Sequence, residues 1–160
     1  MAGSLWLIAA VIAARRCDRT EAVRRLDNAQ RLADILGHDG NHRWTAFGPT
    51  NVAIHRVSVA AGLGETGSAI REAAQIRLDH LPVGLTSRRA QVNLDLAAAH
   101  LQRRNSADAL LHLLEAERIS PQMVRYHAVG QRLIKEMLTR TTQSTAPAVH
   151  SLAARAGVLD

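Results

Sequence analysis

An all-α fold built from antiparallel helical hairpins is what this sequence predicts, and three observations predict it. Leu, Ala and Val supply most of the apolar mass, while the strand-favouring aromatics are almost absent: two Trp, one Phe and one Tyr. Helix starts and stops recur along the whole chain. A small–apolar–apolar pattern, spaced four and then three residues, appears in three separate segments.

Taken in order, Met1 to Arg16 reads as a first helix. Asp18, with Glu21 three residues on, predicts an N-cap and capping box for a second. That helix carries Ala22, Leu26, Ala29, Leu32 and Leu36, and Gly37 ends it. The turn-rich stretch 38–48 holds Trp44 and Phe47, which predicts a loop pinned against a groove or edge. Gly48-Pro49 then opens a third helix, since proline's missing N–H suits the first helical position, and Gly62 and Gly64 close it. Thr66 caps a helix over Ser68 to Leu81, and Pro82 and Gly84 break the chain. A long helix runs from Thr86 to about Arg103, and Asn105, with Asp108 three on, starts the next through Ile119. Ser120-Pro121 begins a helix from Gln122 to about Arg140. Residues 141–147 read as a linker, followed by a short amphipathic helix over Ala148 to Val158.

The recurrent pattern is Ala22/Leu26/Ala29, Ala69/Ala73/Ile76 and Ala109/Leu113/Ala116, at intervals of 47 and 40 residues. The small residues stand where a tetratricopeptide helix lets its neighbour approach, although that repeat has a period of about 34. The expectation is an α-solenoid of degenerate tetratricopeptide-like hairpins over 1–140, the linker 141–147, and a separate short helix over 148–160. Such an array exposes the apolar side of its first helix, around Trp6, Leu7 and Val11.

Charge and cysteine content narrow the function classes. The net charge is +6, but the arginines come in pairs interleaved with acids and form no unbroken basic run, so a solvated surface is expected rather than a nucleic-acid face. A single cysteine, Cys17, excludes an internal disulfide. The apolar run Leu5 to Ala14 lacks a basic leader and is too short to span a bilayer. It reads as a buried helix of a cytoplasmic protein, with no membrane partner.

The candidate site lies on the third helix. At about 100° per residue, Asn51, His55, Ser58 and Gly62 share a narrow stripe, and the rest of the circumference is apolar apart from Arg56. Such a stripe is either a wetted face or the wall of a groove. Carrying the repeat register onward places Gln91 beside Asn51 and Asp95 beside His55, with Arg88 seven residues, or two turns, before Asp95. Ser4, Arg15 and Gln102 fall on the same concave surface. The expected ligand-binding groove is therefore Asn51, His55, Ser58, Arg88, Gln91 and Asp95, with amides and an imidazole for a polar ligand, peptide or protein.

Enzymatic readings are weaker. His55, Ser58 and Asp95 supply the residue types of a hydrolytic triad, but no nucleophile elbow or oxyanion hole accompanies them, and no catalytic residue is assigned. His38, Asp39 and His42 lack the spacing of a metal motif, and the remaining histidines lie singly, so no metal and no cofactor is expected. Gly62 to Gly67 is a helix-to-helix turn, because a dinucleotide fingerprint needs a strand before it.

Two stretches carry a family resemblance. GHDGNHRWTAFGPTNVAIHRVSVAAGLGETGSAI, and the run from LDHLPVGLTSRRAQVNLDLAAAH to RLIKEMLTR, closely resemble the C-terminal part of actinobacterial XRE-type helix-turn-helix regulators. In that family a DNA-binding head precedes a tetratricopeptide-like region. The resemblance implies a sensor, dimerisation or partner-binding module of a transcriptional regulator, and a homodimer is expected. The head itself is missing from these residues, whether by nature or by truncation, so no direct DNA binding by this chain is expected. A purely structural oligomerisation scaffold is the competing expectation.

Overall fold

The computed structural model describes residues 1–41 and 44–159, and among these the regular structure is helical, with no strand. The helices are α1 (Ala2–Arg15), α2 (Arg19–Leu36), α3 (Pro49–Gly62), α4 (Thr66–Ala74), α5 (Thr86–Gln102), α6 (Ser106–Ile119), α7 (Pro121–Tyr126), α8 (Ala128–Thr139) and α9 (Ala146–Arg155). They fall into two compact units, Met1–Arg88 and Arg89–Asp160.

In the first unit, α1 and α2 form a hairpin and α3 packs on both. Leu7, Ala10, Ala13 and Ala14 of α1 meet Ala22, Leu26, Ala29 and Ala33 of α2, with Val52 and Val59 of α3. The alanines let the helix axes approach closely. Asp18 caps α2 as its position predicts, Oδ1 accepting from the Glu21 N–H at 3.0 Å. The capping box is only half formed, because the Glu21 carboxylate accepts from Arg24 and Arg25 instead of turning back. Gly37, at φ 72°, ends α2 in the left-handed conformation that glycine tolerates.

The loop before α3 is anchored by two residues. Asp39 Oδ1 accepts from the Thr50 N–H at 3.0 Å and so caps α3 from outside the helix. Gly48 must be glycine there, since a Cβ would lie 2.4 Å from Asp39 Oδ1. Phe47 lies over Gly3 of α1, where any Cβ would meet its ring. Trp44, by contrast, is 91% exposed, so the expectation that the loop's aromatics are both pinned holds for Phe47 alone.

Two further boundaries move. The helix expected to reach Leu81 ends at Ala74, and a 3-10 turn covers Leu78–His80. Pro82 disfavours helical geometry for the residue before it; Leu81 is extended there, and Leu81 and Leu85 are both buried. The exposed apolar side of α1 is also not the expected one. Leu7 is 1% exposed and Trp6 and Val11 pack against the core, whereas Met1, Leu5, Ile8 and Ile12 face outward in one stripe.

In the second unit, Leu94, Ala97 and Leu101 of α5 pack with Ala109, Leu113 and Ala116 of α6, and with Leu133, Ile134 and Met137 of α8. Asn105 caps α6, its Oδ1 accepting from the Asp108 N–H at 3.2 Å. Ser120 stands at the N-cap of α7, but its side chain makes no capping bond. The helix expected over 122–140 breaks at His127, which is extended and whose Nδ1 accepts from the Val129 N–H. Gly130 makes the break possible: a Cβ there would lie 2.7 Å from the Val124 carbonyl oxygen. The last helix begins at Ala146 and buries Val149, Leu152 and Ala153 in the same core, and a turn at 143–145 leads into it.

Candidate functional site

The polar stripe of α3 is inside the protein. Asn51 is 1% and His55 8% exposed, Ser58 is half-buried, and only Gly62 at the end of the stripe is exposed. The stripe is thus neither a wetted face nor, in this conformation, the wall of an open trough. α3 buries it because its other faces are apolar as well, with Val52, Ile54, Val57 and Val59 also enclosed.

His55 is fixed by its own helix. Its Nδ1 lies 2.8 Å from the Asn51 carbonyl oxygen one turn back. A carbonyl only accepts, so Nδ1 carries the hydrogen and Nε2 presents a lone pair. Burial pushes the imidazole down to about 4, opposed by that hydrogen bond and reinforced by the positive charge of Arg88. His55 is therefore neutral at pH 7, and Nε2 is an acceptor.

Asn51 supplies a second acceptor. Its side-chain Oδ1 is buried and meets no hydrogen-bond partner among the described residues. A group left in that state destabilises the fold by roughly 1–3 kcal/mol. Arg88, from the start of α5 but within the first unit, is half-buried, and desolvation lowers its pKa. No carboxylate pairs with it among the described residues. Among the described residues, a buried acceptor without a donor and a cation without a carboxylate therefore accompany the His55 lone pair around the middle of α3. Ser4 Oγ of α1 is likewise buried and without a partner among the described residues.

The other expected groove residues behave differently. Gln91 Nε2 donates to Asp95 Oδ1 at 2.9 Å, so these two satisfy each other along α5, within the second unit. Arg15 and Gln102 are exposed. The triad geometry does not form at His55, because Nδ1–H goes to a backbone carbonyl where a triad requires a carboxylate. Asp39, one of the residues weighed as a metal ligand, is used as the cap of α3, and His38 Nδ1 is bonded to the Leu36 carbonyl. His42 lies outside the described residues. Among the described residues no three His, Cys, Asp or Glu side chains are grouped as metal ligands.

One cluster escaped the sequence reading, which treats the histidines as isolated. His100 of α5 and His112 of α6 stack with ring centroids 5.3 Å apart. Asn93 Oδ1 is 2.9 Å from His112 Nδ1, and His100 Nδ1 is 3.6 Å from Asp108. Desolvation, chiefly, and the neighbouring His100 lower the His112 pKa. The signal was present in the hairpin register: a turn near Arg104 sets residues around 100 against residues around 110.

Part of the arginine charge is locally answered. Glu21 pairs with Arg24 and Arg25, Glu115 with Arg118, Glu117 with Arg155, and Asp79 with Arg77. Among the described residues no helix is long and apolar enough to cross a membrane. Compared with protein-family models, curated proteins and solved structures, the chain matches none.

Proposed function

We propose that this chain is a cytoplasmic sensor and interaction module of an XRE-type transcriptional regulator, a degenerate tetratricopeptide-like solenoid acting as a homodimer. It binds a small polar molecule, peptide or protein, and it does so through α3. The observation that carries this reading is Asn51, a buried amide whose Oδ1 has no partner among the described residues, beside the lone pair of His55 Nε2 and an Arg88 with no carboxylate partner among them. Unsatisfied buried acceptors are costly, and a ligand that donates to them recovers that cost on binding. Because Asn51 is enclosed, such a ligand binds only when the packing over α3 opens. That differential affinity for an opened state is what a sensor needs. The paired arginines support an interaction module over a nucleic-acid-binding one.

The test is a thermal-shift and calorimetry screen against metabolites and short peptides, repeated on Asn51→Ala and His55→Ala. A ligand whose affinity falls at least about tenfold in either variant supports the reading, as loss of a hydrogen bond of roughly 1.4 kcal/mol would give. A ligand that binds both variants as it binds the parent moves the site elsewhere.

A second reading, a structural oligomerisation scaffold, is favoured by the outward stripe Met1, Leu5, Ile8 and Ile12 on α1. Sedimentation of the parent and of Leu5→Glu and Ile8→Glu tests it. A dimer dissociated by these substitutions supports the scaffold, and a parent monomeric at high concentration removes it.

A further inference from the structure

Two segments far apart in the chain repeat one pattern: Arg104-Asn105-Ser106, leading from α5 into the first residue of α6, and Arg140-Thr141-Thr142 after α8. Each places an arginine at the end of one helix and a hydroxyl two residues later. These four residues, Arg104, Ser106, Arg140 and Thr142, line a single cavity of about 450 Å³ within the second unit.

The two arginines are held differently. Arg140 is fixed at one edge, Nη1 donating to the Leu101 carbonyl and Nη2 pairing with Glu136, each at 2.9 Å. Two bonds leave donors to spare on a guanidinium that carries five. The Arg104 side chain has no hydrogen bond or ion pair among the described residues. Its backbone sits at φ 59°, where glycine would be easier, so the position carries a cation at a conformational cost. Opposite it, the Thr142 hydroxyl is held 3.0 Å from both Ser144 Oγ and Thr145 Oγ1. Glu136 is the carboxylate paired here, so two guanidiniums against one acid leave the cavity positive.

We propose that this cavity binds the phosphoryl group of a small phosphate ester. A phosphate dianion offers acceptor oxygens in several directions, matching donors that arrive from two separate segments, and guanidinium–phosphate bonds are charge-assisted. A carboxylate, planar and singly charged, uses fewer of them. The volume also leaves room for the organic part of a small ester. This site is independent of the α3 residues and stands whether or not those bind a ligand.

The experiment is an NMR titration of the full chain with inorganic phosphate, against sodium chloride at matched ionic strength, repeated on Arg104→Gly and Ser106→Ala. Glycine suits the positive φ, so Arg104→Gly removes the guanidinium without straining the backbone, and its melting temperature verifies folding. Phosphate-specific shifts at 104–106 and 140–142, weakened at least about fivefold in Arg104→Gly, support the site. Equal responses to phosphate and chloride, or an undiminished response in Arg104→Gly, overturn it. Glycerol phosphate and a DNA duplex form two further arms. Competition by the ester supports a metabolite subsite, and displacement by duplex alone overturns it in favour of a nucleic-acid backbone.

Discussion

Acidification probes the buried imidazole of α3 directly. His55 ionises at about 4 in the folded chain against an ordinary 6.5, because burial opposes its charged form. The sign follows from proton counting. Above pH 6.5 neither state holds the proton, and the group contributes nothing. As the pH falls below 6.5 the unfolded chain takes up a proton that the folded chain refuses, so stability is lost progressively until about pH 4. One unit of separation is worth about 1.4 kcal/mol, so the full loss is about 3 kcal/mol, of which about 2 kcal/mol is felt between pH 7.5 and pH 5. That window lies above the range where carboxylates protonate. The assay is urea unfolding of the parent and of His55→Gln at both pH values. Glutamine keeps an N–H for the Asn51 carbonyl but does not titrate, and the contribution of His112, shifted in the same direction, cancels between the two proteins. The parent should lose about 2 kcal/mol more than His55→Gln over this interval. An equal loss in both would refute the buried, neutral His55.

Other consequences concern packing and capping, and each is read by chemical denaturation. Leu7→Glu should destabilise by about 3 kcal/mol or more, since it puts a carboxylate in the first core, whereas Leu5→Glu on the outward stripe should change folding stability by less than about 0.5 kcal/mol. Gly130→Ala should be destabilising by about 1–3 kcal/mol from overpacking, despite alanine's better helix propensity, because its Cβ meets the Val124 backbone. Asp18→Ala and Asn105→Ala should each cost about 1 kcal/mol as lost N-caps, and Ser120→Ala, whose side chain makes no cap bond, close to nothing.

Local chemistry made most of the helices legible before any coordinates. Asp18, Gly37, Pro49 and Asn105 each act through a neighbour within a few residues, so their caps and stops follow from order alone. The failures involve partners distant in sequence. Nothing near His127 announces a break; it depends on Gly130 letting the Val124 backbone approach, which is a matter of packing between α7 and α8. Asp39 reads as a turn residue until Thr50 is seen beside it. On α1, the repeat register pointed to the side around Trp6, Leu7 and Val11 as exposed, but α2 and α3 take Leu7, leaving Leu5, Ile8 and Ile12 outside.

The same limit governs the candidate site. Periodicity places Asn51, His55 and Ser58 on one face of α3, but whether that face is wet depends on what packs over it. Burial of Asn51 changes its meaning, from one of several amides in a trough to an acceptor held without a donor. Gln91 and Asp95, grouped with it by register, instead complete each other.

That difference can be measured without knowing the ligand. If Asn51 is retained for recognition, Asn51→Leu removes a buried unsatisfied acceptor and should leave the unliganded protein as stable as the parent, or up to about 1 kcal/mol more stable, in urea unfolding at pH 7.5. A loss of about 2 kcal/mol or more would show that the amide holds the fold together, and would contradict the proposal that α3 keeps it for a ligand.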